Sequence, residues 1–378
     1  MTTPRQPPQA RGPDIRSTAA QLLVVGAASV LIGALIRAES RADARLRAAE
    51  PDLGGVPLGR VAAERGHLAR SPVEMPARGW MDIARRLIDE VQEDRVLAVA
   101  AGVTFYCVLA FFPLITAFVA IYGLLADPAT VAQHLDGLRA VIPYEALTLI
   151  REQLERLVAV DNRSLTLATA ASLAIAFWSA NGAAKALIEA MNVAYDEREK
   201  RGFVHLNLLA MSLTLGAISM VTALLTLAAV VPAILPHLPG GGLRDNLLLF
   251  LRWPLMFAVL IVALAVLYRV GPSRRAARWR WITPGAVLAA IGLVIVSMGF
   301  AWYTSTFAGY GETYGSLGTI VAVMMWIWLS SIIVIVGAEL NAETEHQTAR
   351  DTTAGLPRPM GARGASMADR VALREPTD

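Results

Sequence analysis

Seven apolar stretches, at 19–36, 96–126, 165–184, 206–235, 247–268, 284–303 and 317–338, run through the 378-residue chain. Each is long enough, or nearly so, to cross a hydrocarbon core about 30 Å thick, which takes about 20 apolar residues in a helix. The alternating pattern of membrane strands is absent. The pattern predicts an all-α, polytopic transmembrane helical bundle, with six core helices plus one N-terminal extra transmembrane helix. Four units follow. Residues 1–38 form an N-terminal tail and the extra helix. Residues 39–78 form an Arg/Pro/Gly-rich cytoplasmic linker, expected to be disordered. Residues 79–345 form the six-helix membrane domain, and 346–378 a disordered cytoplasmic tail.

Within this frame the spacing is informative. Trp80, Ile83, Leu87, Ile88 and Val91 share one face of a short amphipathic helix, expected to lie along the membrane surface. Pro113 interrupts the long second stretch, where it acts either as a kink that fits the bundle or as a hinge at a transport site. Residues 127–163 carry two amphipathic stripes, expected as outer-surface helices that cap or gate the bundle. Gly285, Gly292 and Gly299 recur every seven residues and with Ala289 predict a bare packing face. No internal repeat marks an inverted-repeat transporter. The first stretch is read as an uncleaved anchor, with a signal peptide as the rival.

Composition agrees with a chain whose core faces lipid. It is 55% hydrophobic and 17% charged, with a mean hydropathy of +0.49; soluble domains carry about 25% charged residues. The net charge of +3 and pI near 9.2 follow from Arg and Lys placed mainly in alternate loops. Positive-inside then puts those loops and the C-terminus in the cytoplasm. The segment 127–163 strains the rule, since it holds Arg139, Arg151, Arg156 and Arg163 yet must lie outside. The basic loops point to the bilayer as partner, with anionic lipid at the cytoplasmic face, and not to nucleic acid. A homo-oligomer is left open. Cys107, the single cysteine, excludes an intrachain disulfide and a cysteine zinc site.

Ionisable residues at membrane depth are the candidate chemistry. Lys185 lies about 20 residues along its helix from Leu165, or about 30 Å, near the cytoplasmic face. Arg95, Glu189 and Glu339 fall at similar depth, and Asn181 one turn deeper. Together Arg95, Asn181, Lys185, Glu189 and Glu339 are either helix-end residues that pair to fix register or an ion- or headgroup-binding vestibule. On the outer side Glu312 is a candidate contact, and Arg252 is expected to snorkel. Trp279 and Trp281 read as interface anchors, and Trp326 and Trp328 as packing or lipid-facing residues. His67, His134, His205, His237 and His346 are scattered without a pair at ligand spacing, and no Walker-type loop is present. No catalytic residue, cofactor or metal is therefore expected, which disfavours both a nuclease and an ATP-driven pump.

Five runs carry a family resemblance. They are 93–106 (Glu93-Asp94-Arg95 to Phe105-Tyr106), Phe177-Trp178-Ser179-Ala180-Asn181-Gly182, Met191-Asn192-Val193-Ala194-Tyr195, Tyr314-Gly315-Ser316-Leu317-Gly318 and Gly337-Ala338-Glu339-Leu340-Asn341. In this order they resemble the YihY/BrkB family, over about residues 79–345. The resemblance implies a six-helix protein of the bacterial inner membrane. The family has carried two labels, a virulence or serum-resistance factor and a tRNA-processing ribonuclease; the scattered histidines argue against the second. The expected function is transport or export of a lipid or other envelope component of unknown substrate. The alternative is a non-transporting structural or envelope-assembly protein that binds anionic lipid.

Overall fold

Helices that are apolar on every side bury one part of their surface in each other and leave the rest to lipid. The computed structural model describes residues 64–123, 167–230, 243–307 and 316–372. Its helices are α1 (Ala77–Glu93), α2 (Val96–Gly123), α3 (Leu167–Ala194), α4 (Phe203–Leu225), α5 (Leu243–Val270), α6 (Trp279–Phe307) and α7 (Ser316–His346). A short 3-10 turn, Pro72–Glu74, precedes α1, and a π-turn, Thr226–Val230, extends α4. Among the described residues, four segments are long and apolar enough to cross a membrane: Phe203–Ala228, Leu248–Val270, Trp279–Thr304 and Ile320–His346. Helices α2 and α3, of 28 residues each, pack beside them. Among the described residues the chain is all-helical apart from one isolated bridge, between Ala277 and Thr353. The expected helix at 19–36, the segment 127–163 and Glu312 lie outside the described residues.

Alanine dominates the buried seams. Ala100, Ala190, Ala194, Ala286, Ala289, Ala338 and Ala342 are all fully buried, in one core with Met191, Tyr268 and Ile335. Lipid tails are as apolar as leucine, so helices in a bilayer gain from close approach of small residues. Phe105, Leu109, Phe250, Ile295, Met298 and Val321 point outward instead. The tightest crossing joins α6 and α7. There the Gly285 N–H donates to Asn341 Oδ1 at 2.7 Å, one residue after Pro284, which has no N–H. A Cβ on Gly285 would overlap the Gly337 carbonyl and fall 2.6 Å from Asn341 Cγ. Gly292 meets Ile333 in the same way. Gly299 meets no described atom within 4 Å, so the expected glycine face is a contact only over its first two members. Helix α2 is continuous through Pro113.

All described loops between these helices gather at one end of the bundle, with α1. This polar end corrects the expected boundaries. Residues 64–78 and 346–372, both assigned to disordered segments, are folded together. The His67 ring bonds the Gln347 carbonyl at 2.9 Å, Thr348 Oγ1 donates to the Ala69 carbonyl at 2.7 Å, and the Gln347 side chain donates to the Arg65 carbonyl at 2.8 Å. Arg363 is buried and its guanidinium donates to the carbonyls of Ala349, Ala368, Arg350 and Arg358. Composition suggested disorder because these segments hold few apolar residues. Their order comes from side-chain bonds to backbone carbonyls, which composition does not register.

Three further expectations change. Trp281 is no interface anchor: residues 64–76 cover it, and it is buried with Ala69, Met75 and Ile83. The amphipathic face of α1 also divides, with Ile83 buried in that small core while Ile88 is exposed. Arg252 does not simply snorkel, since its guanidinium donates to the Ala228 carbonyl in the π-turn at 3.3 Å. Trp326 and Trp328 are packing residues, donating to Ser297 Oγ and the Leu97 carbonyl.

Replacing Gly285 with alanine will overpack the α6–α7 crossing and cost about 1–3 kcal/mol. Gly299→Ala will be neutral or slightly stabilising, since alanine is the better helix former. Thermal unfolding of both variants in the same detergent tests the contrast. Arg363→Ala will release the tail, so that trypsin cuts after Arg350 and Arg358 well before the helices are attacked. Equal cleavage of wild type and variant would remove Arg363 as the fastening residue.

Candidate functional site

The five residues expected as one cluster fall into two places. Asn181 and Lys185 sit on α3 at its seam with α4. The Asn181 side chain donates to Asn207 Oδ1 at 3.0 Å, and Asn207 donates in turn to the Phe203 carbonyl at 2.7 Å. One turn along α3, Lys185 Nζ lies 5.7 Å from the Trp178 ring centre and 5.9 Å from that of Phe203. Both rings face outward, 60% and 72% exposed. Aromatic faces attract a cation at this range without neutralising it. No carboxylate pairs with Lys185 among the described residues.

Glu339 lies elsewhere, on α7 in the bundle interior. It is 1% exposed and both carboxyl oxygens lack a hydrogen-bond partner. Its acidic neighbours are Asp94, Glu90 and Glu343. Asp94 caps the C-terminus of α1, and burial pushes its carboxyl above the usual carboxylate range. Tyr195 and Asn341 are also fully buried, and the Tyr195 hydroxyl and Asn341 Nδ2 have no partner. An orphaned buried polar atom costs about 1–3 kcal/mol, so four of them at one place call for an explanation. The other two members do not join: Glu189 is exposed on α3, and Arg95 is exposed in a left-handed turn (φ 49°) that swings the chain from α1 into α2.

Among the described residues, the acids that follow Glu339 on and beyond α7 are all partnered. Glu343 accepts from the Arg86 side chain and is bonded to His346. Glu345 accepts two bonds from Arg274, at 2.7 and 2.9 Å, and one from Thr352 at 2.7 Å. The side chains of Arg274 and Glu345 are 1% and 0% exposed, and the Arg274 guanidinium lies 4.0 Å from the Tyr195 ring centre. In the loop after α3, Arg201 donates twice to Glu199 and also to the Val270 and Gly271 carbonyls at the end of α5. The Arg201 bonds hold the Glu199 carboxyl down at about 2. Cations at a helix C-terminus complement its dipole. Burial lowers the His67 ring below its ordinary value. No three of the described His, Cys, Asp and Glu residues are grouped to hold a metal ion.

Reasoning from depth alone missed Asp94, Tyr195, Asn341 and Asn207. The first three stand in the runs 93–106, 191–195 and 337–341, so the signal was their place in those runs. What depth could not supply was azimuth, the direction in which each residue leaves its helix.

These features define a polytopic helical membrane protein with an ordered polar end. A family model described as virulence factor BrkB matches residues 87–360, and the chain belongs to that family. The match extends past α7 into the folded tail. YfkH of Bacillus subtilis (strain 168), whose name describes it as ribonuclease-like, is 31% identical over 242 residues, 62% of this chain and 86% of its own. A UPF0761 membrane protein of Vibrio cholerae serotype O1 is 33% identical over 153 residues, 40% of this chain and 50% of its own. A UPF0761 membrane protein of Nitrosospira multiformis is 29% identical over 255 residues, 65% of this chain and 56% of its own. The chain thus spans about half the length of the last two relatives. No solved structure matches it.

Arg274→Met will leave Glu345 as an uncompensated buried charge and cost about 3–5 kcal/mol, because removing one partner of a buried pair is far worse than removing both. The double variant Arg274→Met/Glu345→Leu will recover most of that loss. Thermal unfolding of the wild type, the single and the double variant measures it; equal losses in the two variants would show that the pair contributes nothing as a unit.

Proposed function

We propose that this chain is a non-enzymatic multi-pass protein of the bacterial inner membrane that moves an anionic lipid or a lipid-like envelope component. The polar end, which carries the basic loops and the C-terminus, then faces the cytoplasm. The observation that carries the reading is Lys185. An ammonium without a carboxylate partner among the described residues stands between two outward-facing aromatic rings, about 30 Å along its helix by the 1.5 Å rise, where lipid headgroups are found. A phosphate there completes the charge, and the rings suit the headgroup layer. The buried Asn181–Asn207 pair just inside supplies a polar step between the two helices that flank the lysine.

The second reading is a non-transporting structural or envelope-assembly protein that holds anionic lipid. The densely bonded polar end favours it, because a bundle stapled across its loops resists rearrangement. The two readings share the lipid contact and differ in whether lipid crosses.

Lys185→Gln will weaken retention of phosphatidylglycerol over phosphatidylcholine in purified protein by about fivefold, the equivalent of ~1 kcal/mol for one basic residue at the membrane surface. Unchanged retention would remove Lys185 as the headgroup contact. In proteoliposomes, protein-dependent movement of a labelled anionic lipid between leaflets supports transport. Binding without movement leaves the structural reading.

A further inference from the structure

The charges of the polar end do not balance locally around Glu339. Of the guanidiniums at the polar end, Arg86 is held by Glu343 and the Gln347 side chain, and Arg274 by Glu345. Arg370 is held by Asp196. Glu339 is buried with two unpartnered oxygens, and Asp94 faces it from the end of α1. Glu339 is fully buried and Asp94 half-buried, so two carboxylates side by side there disfavour being ionised together. A pair of acids alone would define nothing. Two further side chains converge there, however, one after α3 and one on α7 itself, both fully buried and both with an unpartnered polar atom. They are Tyr195, after α3, and Asn341, one residue along α7 from Leu340. Asn341 already accepts the Gly285 N–H through Oδ1, so its orientation is set and its Nδ2 points away from that bond. The Tyr195 ring is fixed by the Arg274 guanidinium against its face.

We infer that Glu339 and Asp94 together bind one positive charge, a proton or a sodium ion, with Tyr195 and Asn341 as its neutral polar surroundings. The titratable groups that face the site are Glu90 and Glu93 from α1, Tyr195 and Asp196 from the loop after α3, Arg274 from the loop before α6, and Glu343 and Glu345 from α7. Of these, Glu90 adds a third acid, and like Asp94 it is pushed up by burial. Arg274 is shielded from Glu339 by its own bonds to Glu345. The site joins α1 to α7, so filling it ties the short helix to the bundle. It stands whether or not the chain moves lipid, since it lies in the interior and shares no residue with the Lys185 surface.

A bound charge stabilises the folded chain, and losing it as pH rises removes that stability. The sign follows for Asp94: a carboxyl raised above its ordinary range favours the protonated fold, and the advantage falls away as pH climbs through the raised value. The experiment is thermal unfolding of the full chain in lipid nanodiscs, from acidic to alkaline pH, in potassium or in sodium chloride. The wild type is expected to lose melting temperature as pH rises in potassium. If sodium restores it at alkaline pH, the bound charge is sodium; if sodium and potassium behave alike, it is a proton. Glu339→Gln and Asp94→Asn are each expected to flatten the pH slope and abolish any sodium response. A slope equal to that of the wild type in both variants would overturn the inference. Should the variants fail to fold, infrared spectroscopy of the wild type decides. A protonated carboxylic acid band at neutral pH in potassium, lost on alkalinisation or on adding sodium, supports the site. Absence of that band together with no sodium response overturns it.

Discussion

A buried ion pair, Arg274 with Glu345, is the contact on which the polar end depends. Two short bonds join the side chains, and Thr352 from the tail adds a third to the same carboxylate. The guanidinium also covers the ring of Tyr195. One charged pair therefore ties the end of α3, the loop between α5 and α6, the end of α7 and the tail. Ion pairs taken out of water are costly, and this one is retained with every facing oxygen bonded. Around it the tail is held by a different device: Arg363, whose donors are spread over four backbone carbonyls. In each case an arginine that composition would assign to a solvated loop is consumed by the interior.

Three glutamates on one helix end show how much the neighbouring elements decide. Glu345 meets Arg274 and Glu343 meets Arg86, whereas Glu339 meets only acids and two neutral groups. Along the sequence the three are equivalent carboxylates at the close of an apolar helix. In space two are structural and one is unsatisfied. Ionisable groups in the interior of a membrane bundle persist where function or pairing compensates their cost. For Glu339 pairing is absent, and that asymmetry is what separates it from its neighbours.

The Lys185 surface lies on another side of α3 and uses the opposite physics. Its cation faces aromatic rings at the outside of the bundle rather than a carboxylate in the interior. Helix α3 thus carries a cation beside outward-facing rings near Asn181, and the tyrosine that borders the buried acids follows its far end. Membership of the BrkB family supplies the fold and a membrane setting; it does not name a substrate.

Hydrophobic pattern alone determined that this chain is a membrane bundle, because 20 or so apolar residues in a row have one stable arrangement in lipid. It also located the long helices of the described residues and the seam at Gly285 and Gly292. It could not set azimuth. Whether Glu339 looks toward Lys185 or toward Asp94 depends on how α7 is rotated against α1 and α3, and that rotation is chosen by alanine and glycine contacts spread over several helices. It could not read the linker and tail either. Their order rests on glutamine and threonine side chains reaching carbonyls about 280 residues away in the chain, as Thr348 reaches Ala69, and on Arg363 gathering carbonyls within the tail. Composition records which groups can bond; only the tertiary structure decides which of them meet.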